Sequence, residues 1–175
     1  MPREGSPVIW IASYQGWLQR GSAIRPGRVV SIMAPGDAVV ATPGWLPSSS
    51  HLHLGFDDVV ATTDGYAAPS RLQMAQLIAF ADGWTEAAPM LVHCMAGISR
   101  SSAAALIVAA RRRPGREAEL ARRLRRVGPW FTPNETMVAL ADELLACDGR
   151  LREALAAMGP RSGGIDDGPV RLELT

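Results

Sequence analysis

The chain has 175 residues, with 47% apolar and 20% charged side chains, which is the composition of an ordinary globular domain and not of a disordered one. A net charge of +1 excludes a strongly basic nucleic-acid binder, and two cysteines exclude a disulfide scaffold and a four-cysteine zinc site. All 18 basic residues are arginine.

No targeting pattern opens the chain, and the most apolar stretch, Ala103 to Ala110, is far shorter than the ~20 residues a bilayer span needs. A cytoplasmic location with free thiols, without membrane or nucleic-acid partners, is therefore expected; the oligomeric state is left open.

In chain order, Val8 to Ile11, Arg28 to Met33, His51 to Phe56 and Met90 to His93 read as short strands bounded by Gly, Pro, Ser or Asp. Ser70 reads as an N-cap, followed by Met74, Leu77, Ile78 and Ala81 on one helical face that stops at Gly83. A helix of small residues is expected just after Arg100, from Ser102 to Arg111, ended by Pro114 and Gly115. Glu117 to Arg126 puts its acids first and its arginines last, as the helix dipole favours. Asn134 reads as an N-cap for a helix lasting to Asp148 and Gly149, and Leu151 to Met158 as a last short helix. The alternation predicts an α/β domain over residues 1–158, with a mostly parallel central sheet of four to five strands flanked by helices. The polar, Gly-rich residues 159–175 are expected to be a mobile tail.

The informative segment is LVHCMAGISRSS, residues 91–102. Cys94 ends a buried strand and Arg100 follows six positions later at the mouth of a helix, on the side of a parallel sheet where ligands bind. Met95, Ala96, Gly97, Ile98 and Ser99 form a loop able to curl with N–H groups inward, as an anion nest. Arg100 can fork two N–H groups onto a bound phosphate. Inward N–H groups, a helix N-terminus and an arginine all favour thiolate over thiol at Cys94, and the thiolate is the nucleophile.

His93-Cys94, five residues, then Arg100-Ser101 resembles the signature of cysteine-dependent protein tyrosine phosphatases. HCMAGISRS looks most like the dual-specificity branch, and the early strands fit its compact bacterial version. The likeness runs from about His51 to Gly149. It implies a metal-independent hydrolase without cofactor, working through a phosphocysteine on a phosphorylated protein or small aryl phosphate. It also implies an aspartate general acid on a loop before the central helix. Asp58 matches that place best; Asp64 stays open as the second candidate, because the loop from Val59 to Pro69 looks longer than usual, and Asp57 is its neighbour. Ser101 would hydrogen-bond the sulfur, and His93 would orient the loop. The loop interior lacks the lysines of phosphoinositide-preferring members. Two alternatives remain: a phosphate-recognition module without turnover, and a rhodanese-like sulfurtransferase, a family whose loop is one residue shorter.

His51 and His53 share a strand face, but no third ligand stands at metal spacing, so no metal is expected. Cys147 is expected to be buried and inert. Eight arginines between Arg111 and Arg126 could dock an acidic partner; a solvated helix pair balanced by acids elsewhere is the preferred reading.

Overall fold

The computed structural model describes residues 6–166 and 168–175. Five strands form one sheet in the order β3-β2-β4-β1-β5: β1 Val8–Ser13, β2 Arg28–Met33, β3 His51–Gly55, β4 Met90–Cys94 and β5 Val170–Glu173. The first four are parallel, and β5 runs antiparallel to β1. Six α-helices flank the sheet among the described residues: α1 Tyr14–Ile24, α2 Arg71–Asp82, α3 Arg100–Arg112, α4 Glu117–Val127, α5 Glu135–Leu144 and α6 Arg150–Ala157. None is long and apolar enough to cross a membrane.

Strand alternation divides the core. Ile9, Ile11, Val30, Ile32, Met90 and Val92 belong to the larger cluster, which helices α2 to α6 complete. Val29, Met33 and Leu91 join Trp17 of α1 in a second cluster with Val40 and Leu46. Helix α3 is buried from Arg100 to Ala110, and its five alanines let it lie close to the sheet and to α2, α4 and α5.

The expected elements appear, with informative differences. Ser70 caps α2 in a reciprocal capping box with Gln73, and Asn134 caps α5 through Met137 N–H. Helix α3 starts at Arg100 itself, and α5 ends at Leu144 instead of reaching Gly149. Helix α1 was not expected. Ser13 caps it, and the Trp17 ring lies against Gly21, where an added Cβ would stand 2.4 Å from it. The expected mobile tail is corrected at its end. Val170–Glu173 is a strand because Leu172 is fully buried, in register with Ile9.

The arginine-rich segment is tied down by acids. Arg111 pairs with Asp82, Arg112 and Arg113 share Glu86, and Arg116 and Arg123 share Glu119. Arg125 instead donates to the carbonyls of Pro129, Phe131, Met158 and Gly159. Cys147 is buried beside Glu117, and burial pushes its thiol up to about 11. That keeps it protonated at neutral pH.

Candidate active site

Cys94 is the last residue of the central strand β4, and the chain then turns through residues 95–99 into α3. Three outside donors hold this loop by its carbonyls. Tyr14 N–H donates to Met95 O (3.1 Å), Thr132 N–H to Ile98 O (3.1 Å) and Asn134 N–H to Ser99 O (3.3 Å). No peptide bond is cis among the described residues, and in a trans peptide the N–H points opposite the carbonyl. Carbonyls turned outward at 95, 98 and 99 therefore turn the N–H groups of Ala96, Ser99 and Arg100 inward. Gly97 N–H points at the Cys94 Sγ, 3.3 Å away.

Gly97 is the tight point of the curl. Its φ is +72°, and an added Cβ would stand 2.5 Å from the Ser13 backbone nitrogen. Only glycine meets both conditions. The start of α1 therefore braces the loop twice, through Tyr14 N–H and through contact with Gly97.

Arg100, the first residue of α3, is more than nine-tenths buried. Its Nη1 donates to Phe56 O at 2.9 Å, while its Nε has no hydrogen-bond partner. A buried guanidinium N–H without a partner carries a desolvation cost that an anion can offset. Cys94 Sγ also lies 3.3 Å from Ser101 Oγ, in the first turn of α3. Inward N–H groups, a helix N-terminus and a buried fork-shaped cation in one short segment suit a tetrahedral dianion.

The structure separates the three aspartates. Asp58 Oδ1 accepts from Ser99 Oγ at 2.7 Å and from Asn134 Nδ2 at 3.0 Å, so it sits against the loop. No donor reaches its Oδ2 among the described residues. Asn134 Nδ2 also donates to Val59 O, and Thr136 Oγ1 to Val60 O, strapping this segment to the start of α5. Asp57 turns away and accepts from Ala67 N–H, closing the 57–67 loop. Asp64 lines an open depression with Ala34, Pro35, Gly36 and Tyr66, and makes no hydrogen bond to the 94–100 loop.

His93 stands behind the sulfur. Its ring lies parallel to Trp17, with 5.9 Å between centroids, and its Nε2 meets Ser31 Oγ at 2.6 Å. His51, which shares its strand face with His53 as expected, is buried and meets the same Ser31 Oγ at 2.7 Å. Sequence reasoning missed Tyr14 and Ser31, and took Asn134 for a cap alone. Ser31 left one signal, a lone hydroxyl in the apolar strand RVVSIM.

Set against known proteins, no family model matches the chain and no curated protein matches it. Its fold is similar to that of several solved structures. These include DUSP15 (18% identity, covering 89% of this chain and 95% of that chain, TM-score 0.56) and human DUSP28 (16%, 89% and 98%, 0.58). The Yvh1 phosphatase domain from Chaetomium thermophilum is a third (18%, 82% and 93%, 0.53). The chain thus has the fold of the dual-specificity and tyrosine phosphatases. At these identities the likeness is one of fold.

Proposed function

We propose that the protein is a cysteine-dependent phosphomonoester hydrolase of the dual-specificity type, acting on phosphotyrosine in a protein or on small aryl phosphates. The observation that carries this reading is Arg100, which closes the 94–100 segment with its guanidinium buried and its Nε unpartnered. A rhodanese-like loop, one residue shorter, would form a tighter ring; the five residues here suit phosphate. Two free thiols fit the reducing environment of a cytoplasm.

In the proposed reaction the Cys94 thiolate attacks phosphorus and the P–O bond to the leaving group breaks. Arg100 and the inward N–H groups hold the equatorial oxygens, where charge gathers in the transition state. The leaving oxygen takes a proton from Asp58. Two donors on Oδ1 make the unoccupied Oδ2 the oxygen that carries it. Asp58, now ionised, takes a proton from water as that water attacks the phosphocysteine. The S–P bond breaks, the Ser101 hydroxyl donates to the departing sulfur, and inorganic phosphate leaves.

Turnover of p-nitrophenyl phosphate and of a phosphotyrosine peptide tests the proposal against a Cys94→Ser control. The expected result is hydrolysis by the wild type and none by the variant. A wild type no faster than the control overturns it; phosphate binding without turnover then favours a recognition module.

A further inference from the structure

Three polar side chains meet on the sheet face that α1 covers. They are Ser31 of β2, His51 of β3 and His93 of β4, all buried. Thr42 Oγ1 lies 2.8 Å from His51 Nδ1. His51 Nε2 and His93 Nε2 lie 2.7 and 2.6 Å from the single hydroxyl of Ser31. At the far end, His93 Nδ1 faces the carbonyl of Cys94 at 3.5 Å. Trp17 covers the row, parallel to His93 and edge-on to His51. An unbroken line of polar contacts thus runs from half-buried Thr42 to the residue before the loop.

The direction of the bonds follows from counting protons. Burial, with the neighbouring histidines, holds the rings of His51 and His93 down at about 4, so each is neutral at pH 7 with one N–H. The Cys94 carbonyl can only accept, so His93 carries its proton on Nδ1. His93 Nε2 then accepts the one O–H of Ser31. Ser31 must accept in turn from His51 Nε2–H, and His51 Nδ1 takes the Thr42 O–H. The opposite order would set the Nδ1 lone pair of His93 against a carbonyl oxygen. His53, whose ring centroid is 3.9 Å from that of His51, is the titratable neighbour on β3.

We propose that Ser31, His51 and Thr42 are positioning residues for the nucleophile, holding His93 as its Nδ1–H tautomer so that its ring restrains the Cys94 carbonyl. That carbonyl and Met95 N–H belong to one trans peptide, so holding the first fixes the plane of the peptide that enters the loop. The inference rests on the reading of Cys94 as the nucleophile.

Two measurements on the full chain that need no phosphate ester test it. Ring 15N shifts report the tautomers, and site-resolved alkylation by iodoacetamide at pH 7 reports Cys94. The wild type is expected to show His93 as Nδ1–H and His51 as Nε2–H. In Ser31→Ala, His93 should become a tautomer mixture and Cys94 alkylation should slow about fivefold to tenfold, the effect of one lost hydrogen bond. Ser31→Thr, which keeps the hydroxyl, should recover much of the rate. Thr42→Val, isosteric and half-buried, should unlock His51 and, less strongly, His93; it decides the matter should Ser31→Ala fail to fold. Wild-type His93 found as Nε2–H, or a folded Ser31→Ala with unchanged alkylation, overturns the proposal. A chain inert toward aryl phosphates would break the phosphatase reading and leave these two readouts standing.

Discussion

Helix α3 has arginines at both ends and uses them in opposite ways. At its start, Arg100 gives one bond to Phe56 O and keeps its buried Nε unpartnered. At its end, Arg111 grips Asp82 with two nitrogens, and Arg113 grips Glu86 with two more while its Nε reaches Leu174 O. Farther on, Arg125 spends its donors on four carbonyls. In a chain whose only strong cation is arginine, residue type does not distinguish a site from a clamp. Donor satisfaction does: a saturated guanidinium fixes two segments, and one with a spare buried N–H is ready for an anion.

Substitution at the two ends tests that contrast directly. Arg100→Lys keeps the charge and loses the fork, and should lower kcat/KM on p-nitrophenyl phosphate about 100- to 1,000-fold with little loss of stability. A fall below tenfold would erase the distinction. Gly97→Ala should combine both kinds of damage. Its φ and its 2.5 Å approach to Ser13 force the loop open, so activity should drop about 100-fold and Tm should also fall.

Asn134→Asp keeps an oxygen to cap α5 and removes the N–H donors to Asp58 and Val59. Its cost should depend on the leaving group: about tenfold on an alkyl phosphate, whose departure needs a proton, and little on p-nitrophenyl phosphate. An equal loss on both would make Asn134 a structural residue only.

Acid should separate the two regions by pH. His93 is held at about 4 by burial, below its ordinary 6.5, so the unfolded chain binds the extra proton first. Stability is then full above pH 6.5 and falls by about 3 kcal/mol as pH drops toward 4. Glu86 is held down chiefly by its hydrogen bond from Arg113, so its contribution persists at pH 5 and fades only below the ordinary carboxylate value. Denaturant titrations of His93→Gln should make the upper window shallower and leave in it the share of His51, which burial also holds at about 4. Arg113→Lys is the smallest expected effect, about 1 kcal/mol of stability with unchanged kcat/KM.

How far the sequence was readable follows from how local each feature is. Strand β2, the Ser70 capping box and the Asn134 cap announce themselves within a few residues. The 94–100 loop does so too, because its chemistry and its glycine share one segment. Helix α1 hid behind Gly16 and Gly21, poor helix formers; the second leaves room for Trp17. Strand β5 hid because its pairing with β1 spans the whole chain and a Gly-rich stretch precedes it. The links from Asp58 to Asn134, and from His51 through Ser31 to His93, join elements that only the folded sheet brings together.

Strand β5 has a consequence for handling the protein. Without it, Val8–Ile11 would become the outer strand of the sheet, an apolar VIWI run free of charge and proline. Unpaired N–H and C=O groups along such a run recruit the same strand from another molecule. A chain shortened after Gly159 should therefore keep its 94–100 loop and still precipitate, because β5 acts as a guard against self-association.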